Sequence, residues 1–202
     1  GVQTCALPIS LNGNVNFNGN AGNLTLNASG AITQSSGVIT NNDPTSIATF
    51  AAGAANNIGL GGNNDFNEVR ITSGKDVTIN DVSNALKLGA STVSGNYSAT
   101  ATGGNITTTG ALALDGTTNS ITATGASFDV TLSNAITHNN ASASTLNLVG
   151  KQNIAIATGG SVTASGGTLA VTLNSDSDAT GGGAISMAPG TSISSNGGHI
   201  VL

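Results

Sequence analysis

Aliphatic residues spaced two apart, each pair enclosing one residue that is mostly small, recur along almost the whole chain, and this alternation is the tightest constraint on its fold. Leu24-Thr-Leu26, Ile58-Gly-Leu60, Val69-Arg-Ile71, Val77-Thr-Ile79 and Leu86-Lys-Leu88 carry it in the first half. Leu112-Ala-Leu114, Val130-Thr-Leu132, Leu146-Asn-Leu148, Ile154-Ala-Ile156, Leu169-Ala-Val171-Thr-Leu173, Ile185-Ser-Met187 and Ile200-Val-Leu202 continue it. A period of two sends alternate side chains to opposite faces of a strand, one into a core and one into water. Gly-Gly, Asn-Gly, Ser-Gly and Asn-Asn pairs lie between the strands and supply the positive φ of tight turns. Strands this short and this evenly spaced leave no room for the crossover helices of an α/β fold. Segment 43–55 begins Asp43-Pro44 as a capped helix can, but a longer repeat assigns it to strand and turn.

That repeat runs at intervals of seventy-two to seventy-seven residues. Gly22-Asn-Leu-Thr-Leu-Asn-Ala-Ser-Gly30 matches Gly95-Asn-Tyr-Ser-Ala-Thr-Ala-Thr-Gly103. Gly53, Ile58 and Leu60 match Gly125, Val130 and Leu132, and Ile71–Ile79 matches Leu148–Ile156. Under this register 43–55 corresponds to Asn119–Ala126. A unit of this length holds three to four turns of about twenty residues each. One such turn buries too few aliphatic side chains to offset the ordering of its backbone. Stacked turns fold because each strand pairs with those above and below. The expected fold is all-β, a right-handed parallel β-helix, with Asn and Thr stacked in ladders at equivalent turn positions.

Composition narrows the function classes. Charged residues are 6 % of the chain and aromatics 2 %, whereas 38 % is hydrophobic, so the core is built of Val, Ile, Leu and Ala. The net charge is −5, and the four bases, Arg70, Lys75, Lys87 and Lys151, form no patch that neutralises phosphates, so nucleic acid is not an expected partner. The longest apolar runs are far too short to span a membrane. No initiator Met and no signal peptide are visible, and residues 11–202 read as one repeat segment of a longer protein. Gly1-Val-Gln-Thr-Cys-Ala-Leu-Pro-Ile9 lacks this texture and resembles a translated sequencing adapter; residues 1–10 are read as such an artefact or a disordered end. Cys5 is the one cysteine, so disulfides and thiol catalysis are not expected.

The chemistry-bearing residues each have a plain structural reading. Asp176-Ser-Asp178-Ala-Thr-Gly181 is similar to the start of a calcium loop, but Met187 stands where the bidentate Glu belongs, so a polar turn is expected. Asp65, Glu68, Arg70, Lys75, Asp76, Asp81 and Lys87 form the densest charge cluster, as in the acid-lined faces of polysaccharide-cleaving β-helices. With no Asp-Asp pair and no sugar-stacking rings beside it, the cluster is expected to be solvated surface ion pairs. His138 and His199 are expected in exposed turns. Thr-x-Thr pairs at Thr100, Thr107 and Thr122 raise an ice-binding face, but they recur at no single interval. Asn23, Asn27, Asn96, Asn105 and Asn140 open glycosylation sequons. No catalytic, cofactor or metal residues are assigned, and no small-molecule substrate is expected.

The stretches 22–40, 84–114 and 160–202 resemble the repeat region of filamentous-haemagglutinin-like exoproteins. Leu173-Asn-Ser-Asp and Gly182-Gly-Ala-Ile-Ser lead there into Ser195-Asn-Gly-Gly-His-Ile-Val-Leu202. Autotransporter passenger domains share much of this texture. The resemblance implies an extracellular β-helical shaft on a Gram-negative cell, exported by two-partner secretion through an outer-membrane transporter. Such a shaft presents adhesive regions to host cells or other bacteria and performs no catalysis. A carbohydrate-active β-helix enzyme and a surface-layer spacer are the alternatives.

Overall fold

The computed structural model describes residues 2–5, 7–17, 22–125 and 127–202, with side chains from residue 7 onward. The chain is a β-solenoid of parallel strands, and among the described residues no helix occurs. Two long sheets run its length. Sheet A has nine strands, the first Val2–Cys5 and the last Ile185–Met187. Sheet B runs from Ile9–Leu11 to Ile200–Val201. Residues 2–11 therefore supply the first strand of each long sheet, although Gly1 and Ala6 lie outside the described residues.

The alternation read from sequence is the burial pattern observed. In Val77–Asp81 the side chains of Val77 and Ile79 are buried while Thr78 faces out. In Ile154–Ile156 the outer Ala155 separates two buried isoleucines. The inward side chains form one apolar cluster from Ile9 to Leu173, in which the edge of Phe50 packs on Phe66 with ring centroids 6.3 Å apart. Ile185–Met187 and Ile200–Val201 keep the register but not the burial: inward Met187 and Ile200 are 47 % and 45 % exposed, because their strands pair on one side only. The turns crowd closely enough to require glycine: a Cβ on Gly110 would collide with the backbone of Ala90, one circuit away.

Segment 43–55 is strand and turn. Asp43 Oδ1 accepts the Thr45 amide at 2.9 Å and the Thr45 hydroxyl at 2.6 Å, and the Ser46 amide donates to the Asp43 carbonyl. These bonds close a turn, and Ile47–Ala51 enters sheet A. Ala126, at the end of the matching segment, lies outside the described residues.

A third, short face completes each circuit, and it changes sides midway. In the first turns it lies between B and A: Leu24–Ala28 is in A, Ile32–Gln34 in B and Ile39–Asn41 in sheet C. In the later turns it lies between A and B: Leu86–Leu88 is in A, Ser91–Val93 in sheet D and Tyr97–Ala101 in B. The sequence repeat accordingly exchanges the long sheets. Leu24–Ala28 of A matches Tyr97–Ala101 of B, and Ile58 of B matches Val130 of A. Val77–Ile79 of B matches Ile154–Ile156 of A. One repeat thus spans three circuits and a half, and the second copy is turned half a circuit about the axis.

Side chains manage the changeover. Ile58–Phe66 serves two sheets, pairing at Ile58–Leu60 within B and at Asp65–Phe66 within C, where C ends. The amide of Phe66 would donate to the next strand of C; instead it donates to Asp81 Oδ1 at 3.1 Å. Sheet D opens where Ser91 Oγ accepts the Ile71 amide at 3.1 Å and Gly74 bridges to Val93.

Candidate functional site

The outer charge cluster is built on sheet A. Arg70 stands between buried Val69 and Ile71, so its side chain points outward, as the alternation requires. Its Nε donates to Glu68 Oε1 at 2.6 Å, and Glu68 is itself buried. Gly89 on the next circuit leaves the space over which the Arg70 side chain lies. Lys87, opposite Glu68 in register, donates to Asn67 Oδ1 at 2.8 Å. Asp65 accepts from Asn42 and Asn84, and Lys75 stands 3.9 Å from Asp76 with both groups half exposed, a weak pair. Arg70 also borders an open groove of about 510 Å³ between sheets A and D, with Thr49, Thr72, Ala90, Thr92 and Thr137 along it. No other ionisable side chain lines this groove among the described residues.

Asp81 does not belong to that surface. It is fully buried, where a solvated ion pair was expected. Its Oδ1 holds the Phe66 amide, and its Oδ2 has no partner. Burial raises its carboxyl to about 7, with the negative charge of Asp65 adding to the effect. His138 is a second correction: it lies inside Ala135–His138 at 1 % exposure rather than in an exposed turn. Its Nδ1 donates to the Leu114 carbonyl at 2.7 Å, and its Nε2 has no partner. His199 is exposed, as expected. The inner positions of these strands also hold Asn41, Asn64 and Tyr97, none singled out from sequence. Burial pushes the Tyr97 hydroxyl above its usual range. A signal for the two misplaced residues was present: Asp81 stands two after Ile79, and His138 two after Ile136.

The remaining sequence positions resolve into turns and ladders. Both Asp176 carboxylate oxygens accept the Gly181 amide, and Asp178 Oδ1 accepts the Thr180 hydroxyl at 2.9 Å. The Thr180 hydroxyl holds the Asp178 carboxyl below its usual value, and Lys151 lies 3.8 Å away. The loop is a polar turn. Thr100 and Thr122 face each other on adjacent strands of B, whereas Thr107 stands on A opposite Thr131. Ladders form as expected for Asn, but Asp rather than Thr shares them. Asn105, Asp129 and Asn153 each accept the amide one circuit on, ending at Ala184. Asn57, Asp76 and Asn96 do the same up to Thr118. Of the sequon residues, Asn23, Asn96 and Asn105 accept such amides, and Asn140 donates to the Asp115 carbonyl.

A family model described as repeats of unknown function (DUF5649) matches the chain twice, at residues 6–73 and 74–148. The boundary between the two copies falls at the changeover from sheet C to sheet D. No curated protein and no solved structure matches the chain.

Proposed function

The chain belongs to the DUF5649 repeat family, and we propose that it serves as the shaft of a bacterial surface adhesin, holding adhesive regions away from the cell and catalysing nothing. The observation that carries this reading is the unbroken stack: nine strands of sheet A lie over one continuous aliphatic core. At a spacing of about 4.8 Å per strand, such a stack reaches roughly 40 Å. Each further repeat adds length without a new core, which is what a spacer needs. The outer positions are mostly Thr, Ser, Asn and Ala, so the sides offer little charge.

The finer reading rests on the likeness to filamentous-haemagglutinin-like exoproteins. It places the chain outside a Gram-negative cell, exported through an outer-membrane transporter, with host-cell or bacterial surfaces as its contacts. Antibody labelling of intact source cells tests the location, and labelling only after lysis would overturn it. A release assay on pectin, alginate and glycosaminoglycan tests the absence of catalysis. Activity lost on Arg70→Ala would replace the shaft with an enzyme working in the groove between A and D.

A further inference from the structure

We propose that the junction between the two repeat copies is a proton-controlled joint, latched by the carboxyl group of Asp81 where sheet C ends. Elsewhere among the described residues, the backbone amides that meet side chains along the stack meet neutral groups, as at Ile39 and Ile71, or the outward Asx ladders. At Phe66 the donor meets a buried carboxyl group instead. The amides of Phe66, Val82 and Ser83 favour the ionised form, but burial outweighs them, and the rest of the surroundings are neutral or repulsive. Asn64 faces it in register from the preceding circuit, and Ala101 faces it from the following one. The nearest charge acting on it is Asp65, on the strand it caps. The bases closest in sequence, Lys75 and Lys87, are held at Asp76 and Asn67, and among the described residues no cation pairs with Asp81. Asn64 meanwhile has its carboxamide bonded to Gln34, Ile39 and the Leu60 carbonyl, so it has little freedom to turn toward Asp81 Oδ2.

A protonated Asp81 fills this site as a neutral acceptor of the Phe66 amide. An ionised one places a buried charge where only backbone amides and no cation offset its loss of solvent. The folded state holds the proton up to about pH 7, whereas an opened junction releases it near the ordinary carboxylate value of 3.8. The sign follows: the closed joint is most favoured below that ordinary value and loses its advantage as pH rises through about 7. Between pH 6 and pH 8 the opening equilibrium should rise about tenfold. The circuits through Leu148 and Ile156 hold no buried carboxyl group and gain no such dependence.

Amide hydrogen exchange on the full chain tests this, corrected for the intrinsic pH dependence of exchange. Protection at Phe66 and Val82 should fall about tenfold from pH 6 to pH 8, while Leu148 and Ile156 hold theirs. Asp81→Asn keeps the acceptor and removes the titration, so its profile should be flat. Uniform protection across the pH range, or an equal loss in Asp81→Asn, would overturn the joint. Should that variant fail to fold, carbon NMR titration of the wild-type Asp81 carboxyl decides the matter. A midpoint between pH 6 and pH 8 supports the joint, and one near pH 4 refutes it.

Discussion

The two repeat copies are written in the same alternating pattern, yet the first is closed by sheet C and the second by sheet D, on opposite sides of the coil. Within each copy the inward positions are mostly aliphatic, with Asn41, Tyr97, Asn119 and His138 among the exceptions. Between them sit the buried carboxyl of Asp81 and the hydroxyl of Ser91, each standing in for a missing strand. The contrast shows that a parallel stack tolerates a change of cross-section where side chains can take over the ladder bonds left open. Regular circuits owe their stability to packing, and the junction owes its closure to a few polar atoms.

The harshest way to break the comparison is to charge a regular inner position. Ile156→Asp removes a packed side chain and buries an unpaired carboxylate, and should cost several kcal/mol by denaturant unfolding. Ala155→Gln, one residue away on the outer face, should stay within about 0.5 kcal/mol. Ile79→Asp and Thr78→Gln should repeat that contrast in the circuit next to the junction. If Thr78→Gln proved as damaging as Ile79→Asp, the strand would be buried on both faces and the coil would fail as a description. A smaller effect is expected from the ladders: Asn153→Ala leaves the Ala184 amide without its side-chain acceptor, for a loss of about 0.5–1.5 kcal/mol in melting experiments. Smaller still is Lys75→Ala, whose exposed pairing with Asp76 should contribute only about 0–1 kcal/mol and fade in high salt.

How much of this was legible in the sequence depends on what alternation encodes. It names inward and outward residues, and Val77, Ile79, Leu146 and Leu148 all went where it sends them. It is silent on which sheet a strand joins, because Leu24-Thr-Leu26 and Tyr97-Ser-Ala99 alternate identically on A and on B. The half-circuit turn between copies therefore appeared only in three dimensions. Asp81 and His138 were misplaced for a different reason. The pattern marked both as inward, but ionisable side chains are so rarely buried without a partner that the expectation of exposure prevailed. Segment 43–55 shows the reverse: Asp43-Pro44 favoured a helix start locally, and the long repeat overrode it correctly.

The half-circuit relation also governs how a longer array would look from outside. Thr25 in the first copy and Ser98 in the second hold equivalent places in the repeat, yet one projects from sheet A and the other from sheet B. Copies added under the same rule would set equivalent outer positions left and right in turn, like leaves along a stem. A recognition motif written once per copy would then reach two neighbours on opposite flanks, so a rod built this way is suited to bridging between surfaces.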